Sequence, residues 1–228
     1  MFFWDYTFIL LIPPLILALY AQQKVRSTYK QFSTKLASSR ISGAELASRI
    51  LRASGAEVKV EKTPGKLSDH YDPRKRILRL SEGVYGSTSI AALGIAAHET
   101  GHALQHQTGY FPLQLRNAIY PITSFGSTLA FPIFFIGFIF SSQGPSILMD
   151  IGILLFAGAV FFSVLTLPVE FNASYRALGL LREGDYLKAE ELSQARKVLS
   201  AAALTYVAAT AMAAMQLLRL FLLRSSRR

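Results

Sequence analysis

The chain has 228 residues and a net charge of +10, with 51% apolar and only 17% charged residues. It is too apolar for intrinsic disorder, and without cysteine it cannot be a disulfide scaffold, a thiol enzyme, an iron–sulfur protein or a cysteine-based zinc finger. The basic balance suits nucleic acid or an anionic membrane surface, and a mean hydropathy of +0.33 with long apolar runs favours the membrane.

Four stretches approach the roughly 20 residues that cross a bilayer. They run from Phe2 to Ala21, from Ala118 to Phe140, from Ile147 to Val169 and from Val198 to Leu218. Asp5 and Asp150 are charges near the start of the first and third. Pro13, Pro14, Pro121 and Pro132 are better tolerated in membrane helices than in soluble ones. The first stretch lacks a basic n-region and reads as a retained anchor. Between Gln22 and Val60, eight Lys and Arg residues face only Glu45 and Glu57, which assigns this segment to the cytoplasm. The uncharged link Ser141–Ser146 makes the second and third spans a hairpin with an external turn. The fourth span is rich in small residues from Ala201 to Met215. If it crosses, Arg224, Arg227 and Arg228 lie outside, against the charge rule, so packing within the bundle without full crossing is the other reading.

In the polar segment, Ile41, Leu46, Ile50 and Leu51 recur at helical spacing, predicting a helix over Ser33–Ser54 with Ser42 as a cap and Gly55 as a stop. Val58 and Val60 suggest a short strand, Gly65–Asp69 a turn, and Ile77–Leu80 a second strand after the Asp72–Pro73 turn. A long helix is expected over Ser87–Gln107, capped from among Ser87, Thr88 and Ser89.

That helix contains His98-Glu99-Thr100-Gly101-His102, an HExxH pattern. Residues four apart share a helix face, so both imidazoles can reach one zinc ion. Glu99 can then accept a proton from a zinc-bound water. His106 lies two turns from His98, roughly 11–12 Å along the axis, and is expected to support the site from outside or lie on the surface. His70 is a weaker ligand candidate. A catalytic zinc needs a third protein ligand and an open position, and a carboxylate is expected. Glu170 suits best, because two spans separate it from His102 and return it to the same side. Glu183, Asp185, Glu190 and Glu191 read instead as solvated helix faces.

HETGHALQH together with PVEFNASYRAL resembles the YugP-type membrane zinc metallopeptidases. These are similar in layout to the wider gluzincins, including CAAX prenyl proteases and heat-shock membrane proteases. The resemblance spans nearly the whole chain. It implies His98, His102 and Glu170 as zinc ligands and Glu99 as the general base. Many gluzincins carry an aspartate four residues after the glutamate ligand; here that position is Ser174, with Asn172 as a further supporting candidate. Arg176 reads as an oxyanion stabiliser or, preferably, as a positive flank of the span.

The expected protein is a mainly α membrane protein: a helical transmembrane bundle with a zincin-like catalytic portion and a short β-hairpin or edge strands. Its segments are an anchor at 1–23, a cytoplasmic zincin-like part at 24–117, a transmembrane hairpin at 118–169, a glutamate-bearing helical part at 170–197, and a fourth helix with a basic tail at 198–228. The expected activity is zinc-dependent endoproteolysis of membrane or membrane-associated proteins in the bacterial plasma membrane, with the site on the cytoplasmic side. Ile77–Ser81 offers a strand edge for an extended peptide. The alternative is a zinc-binding membrane scaffold or chaperone partner without peptidase activity. The expected partners are the lipid bilayer and a peptide or membrane-protein substrate. Nucleic acid is not expected, because the inner-leaflet surface explains the charge more simply. No sequence feature signals an oligomer.

Overall fold

The computed structural model describes residues 6–141, 144 and 146–226. Asp5, Arg227 and Arg228 lie outside the described residues, as does part of the link expected to form the external turn. A 3-10 turn, Tyr6–Leu11, leads into α1, Ile12–Ser33. Pro13 and Pro14 fall in the first turn of α1, where backbone N–H groups have no helical acceptor to lose.

Next comes α2, Gly43–Ala53, capped by Ser42, whose Oγ accepts from the Glu45 backbone N–H at 3.2 Å. Gly55 stops it at a φ of +64°, a conformation that glycine adopts without strain. The helix expected over Ser33–Ser54 is therefore confined to its second half. Residues 34–42 are irregular because their backbone bonds elsewhere. The Ala37 N–H donates to the Thr88 carbonyl, the Lys35 carbonyl accepts from Ile90, and Arg40 turns to a φ of +54°. The face of α2 carrying Leu46, Ala47, Ile50 and Leu51 is buried, worth roughly 1.5–3 kcal/mol for each large aliphatic side chain.

Three strands follow: β1, Lys59–Thr63; β2, His70–Asp72; and β3, Ile77–Ser81. Their order is β1-β3-β2, with β1 parallel and β2 antiparallel to β3. This overturns the expectation that Ile77–Ser81 offers a free edge. Both its flanks are hydrogen-bonded, and Leu78 and Leu80 are fully buried. The missed strand, β2, is too short and polar to show a period. It forms because Asp72 closes the turn, its Oδ1 accepting from Arg74 at 3.0 Å and Lys75 at 3.2 Å. Asp69 ties down the far end of β3, accepting from the Ser81 backbone at 2.7 Å and the Ser81 hydroxyl at 2.9 Å.

A short helix, α3, Glu82–Tyr85, precedes α4, Ile90–Gln107. α4 starts later than the predicted Ser87, and Ser89 is its cap, accepting from the Ala92 N–H at 3.2 Å. Then come α5, Phe111–Phe140; α6, Ile147–Glu183; and α7, Ala189–Ser225. Together with Tyr6–Ser33, these three make four helices long and apolar enough to cross a membrane. The protein is a mainly α membrane protein with a small sheet. Each long helix overruns its expected span, and Glu170 lies well inside α6 instead of just past its end.

The chain divides into two compact units. One comprises residues up to Ala21, 115–167 and those from Thr205 on. Within it, Phe134, Met149, Ile153, Phe156 and Leu220 form a core. Gly152 lets α6 approach α5, since a Cβ there would meet the Ala130 carbonyl at 2.8 Å. Arg219 of α7 is buried, donates from Nε to Thr7 at 3.1 Å and stacks 3.7 Å over Phe8. The other unit comprises residues 22–114 and 168–204. Its core joins Leu46, Leu51, Leu78, Leu80 and Leu93 to Ala177, Leu181 and Leu199.

Candidate metal centre

α4 carries His98, Glu99 and His102 on a helix whose buried side is built mainly from small residues: Ala92, Ala96, Ala97, Gly101 and Ala103. The facing residues of α6, Ala173 and Ala177, are also small and fully buried. Gly101 is a point of close approach, because a Cβ there would lie 2.8 Å from the Ala173 carbonyl oxygen. Ala173 is three residues beyond Glu170, so this contact sets the carboxylate against α4.

Glu170 Oε2 lies 3.4 Å from His98 Nε2 and 3.6 Å from His102 Nε2. One donor atom from each of the three side chains falls within 4.8 Å of the others. Four ligands at roughly 2.0–2.2 Å around a tetrahedral zinc stand roughly 3.3–3.6 Å apart, and the two carboxylate–histidine distances suit that ion. The two rings meet edge-on, with centroids 4.8 Å apart. The side chains of His98, His102 and Glu170 are 15%, 12% and 5% exposed, leaving the histidines a narrow opening to solvent.

The hydrogen bonds behind the rings determine which nitrogens face the centre. Gln105 is fully buried, and its amide Nε2 donates to the Val169 carbonyl at 2.8 Å and to Asn172 Oδ1 at 2.9 Å. A backbone carbonyl can only accept, so the amide must face it and Gln105 Oε1 must point away. That oxygen lies 3.0 Å from His102 Nδ1. His102 therefore carries its proton on Nδ1 and offers the Nε2 lone pair to the centre. Asn172 Oδ1 also accepts from Arg176 Nε at 2.9 Å. The guanidinium of Arg176 lies over the Tyr110 ring at 5.9 Å. His98 Nδ1 is 3.2 Å from Ser174 Oγ, which can accept its proton.

The local field favours positive charge. Burial alone would lower the pKa of His102, but the Glu170 carboxylate 3.6 Å away and the charge of Glu99 outweigh it. The imidazole is raised above its ordinary value.

Of the residues singled out from the sequence, His98, Glu99, His102, Glu170, Asn172, Ser174 and Arg176 thus fall within one neighbourhood. Two other histidines do not. His106 Nδ1 pairs with the Tyr71 hydroxyl at 2.8 Å, and exposed His70 pairs with the Ser68 carbonyl at 2.9 Å. Glu191, expected as a solvated face, accepts instead from the Ser38 backbone at 2.7 Å and hydroxyl at 2.8 Å. Gln105 was missed as a site residue. Its signal was a polar side chain three residues after His102, on the turn next to that histidine's own.

Comparison with known proteins places these residues in context. Residues 7–225 match the model of a family described as "Putative neutral zinc metallopeptidase". The chain is 48% identical over 211 residues to the "Putative membrane protease YugP" of Bacillus subtilis (strain 168), with 92% of each chain covered. No solved structure matches it.

Proposed function

The chain belongs to the neutral zinc metallopeptidase family, and on that premise we propose that it is a zinc endopeptidase cutting membrane or membrane-associated proteins. His98, His102 and Glu170 hold the metal, and Glu99 is the general base. The observation that carries this reading is Glu170 Oε2 at 3.4 and 3.6 Å from the two histidine Nε2 atoms. Two neutral imidazoles and one carboxylate match the donor set of hydrolytic zinc sites and leave a coordination position open.

Zinc supplies a Lewis acid that polarises the scissile carbonyl and makes water a nucleophile near neutral pH. Glu99 takes a proton from the attacking water and passes it to the leaving amine, so that the amine departs neutral. Gln105 holds His102 in the tautomer that binds metal through Nε2, and Ser174 does the same for His98. Asn172, held by Arg176, keeps the Gln105 amide from flipping. Arg176 acts as a positioning residue in this scheme.

The basic segment around Lys24–Lys59 supports a bacterial plasma-membrane protein with its site on the cytoplasmic side. Glu170 follows directly on the apolar run of α6, which suits substrates presented at the bilayer.

The test is metal content and hydrolysis of an unfolded casein probe by detergent-purified protein. Wild type should hold close to one zinc per chain; His102→Ala and Glu170→Ala should lose it. Glu99→Gln should keep the zinc and lose hydrolysis by at least about a hundredfold. Full hydrolysis by Glu99→Gln would overturn the mechanism. Zinc without any hydrolysis in the wild type would favour the scaffold reading.

A further inference from the structure

A second site lies between α1 and α7, away from the histidines. Lys24, Arg196 and Lys197 line a cavity of about 420 Å³ together with Ser193, Ser200, Ala201 and Leu204. The α7 residues recur at 193, 196, 197, 200, 201 and 204, the spacing of a single helix face. From α1 comes Lys24, which follows an apolar run ending at Ala21. α7 changes character over the same stretch, from charged up to Lys197 to apolar from Val198 onward.

The three cations make no ion pair with any described residue. Nearby acids are engaged elsewhere: Glu191 with Ser38, and Glu190 Oε1 with Gln194 at 3.2 Å. The walls are held in place independently of any ligand, because Phe32 of α1 packs with Ala91 and Val198. Three uncompensated cations and two hydroxyls suit a group with several anionic oxygens. The adjacent apolar wall suits a chain attached to it.

We propose that this cavity binds the phosphate headgroup of an anionic phospholipid, with Lys24, Arg196 and Lys197 on the phosphate oxygens, Ser193 and Ser200 as hydroxyl donors, and Ala201 and Leu204 against the start of an acyl chain. Long-range attraction to an anionic leaflet would follow from charge alone; a cavity with an apolar wall adds a defined stoichiometry. The site makes no demand on the metal centre and stands or falls separately from the proposed proteolysis.

The test is native mass spectrometry of the full chain released from detergent, titrated with phosphatidylglycerol or phosphatidylcholine. One phosphatidylglycerol should be retained per chain, in preference to phosphatidylcholine. The triple variant Lys24→Gln/Arg196→Gln/Lys197→Gln should weaken that retention about tenfold or more. Removing three exposed cations elsewhere, Lys66→Gln/Arg74→Gln/Lys75→Gln, should leave it intact. Ser200→Trp keeps every charge but fills the cavity, and should also weaken binding. Circular dichroism and elution volume identify any variant that fails to fold. Equal losses from both triple variants, or normal binding by Ser200→Trp in a folded protein, would overturn the proposal. Glycerol 1-phosphate, which shares the phosphate but has no chains, should not compete at lipid-like concentrations. Equal competition would assign the site to a soluble phosphate and overturn the lipid reading.

Discussion

Gly101 stands against the Ala173 carbonyl so closely that a methyl group on its α-carbon would lie 2.8 Å from the oxygen. The obstacle is backbone, which cannot rotate aside as a side chain would. One absent Cβ therefore lets α4 and α6 approach until Glu170 reaches both imidazoles. Gly101→Ala should push the two helices apart, at a cost of about 1–3 kcal/mol. Thermal unfolding and zinc content should fall together. A variant that keeps wild-type zinc affinity would show that α6 is not held by this contact.

Gln105 should matter to the metal without touching it. Gln105→Leu removes the acceptor that fixes the His102 tautomer and the side-chain donor on the Val169 carbonyl. Zinc affinity should drop about 10- to 100-fold. Gln105→Glu conserves size but gains little, because a carboxylate cannot donate to the Val169 carbonyl or to Asn172 Oδ1. Competition with a fluorescent zinc chelator measures both variants. Wild-type affinity in the Gln105→Leu variant would sink the orientation argument.

The Ser174 hydroxyl lies 3.2 Å from His98 Nδ1. Ser174→Ala should weaken zinc binding roughly tenfold. Ser174→Asp should restore it or exceed wild type, since a carboxylate accepts the Nδ1 proton more strongly. Chelator competition on the two variants, read side by side, checks the order.

His106 serves as the internal control. Its ring bonds to Tyr71, not to His98, His102 or Glu170. His106→Ala should leave zinc stoichiometry at the wild-type value while lowering stability by about 1 kcal/mol. Loss of metal in this variant would place a ligand where the geometry has none.

Much of this protein follows from local pattern. Four apolar runs near the length of a bilayer crossing identify the long helices whatever packs around them. The two histidines of HExxH must share a helix face because they stand four apart and the helix repeats every 3.6 residues. Ser42 and Gly55 bound α2 through bonds and dihedrals that involve only their near neighbours.

What local pattern could not supply depends on residues far apart in the chain. Residues 34–42 gave up a helix because Lys35 and Ala37 bond across to the start of α4. β3 became a central strand because β1 and β2 cover both flanks, and neither pairing is written in its own alternation. The polar Gln105 gained its place from Val169 and Asn172, more than sixty positions away. The amino-acid sequence by itself singled out the candidate residues, since residue type and helical period are local properties. Only the tertiary structure decided which nitrogen, which amide rotamer and which glycine serve it, since hydrogen bonding and close packing depend on what the rest of the chain brings alongside.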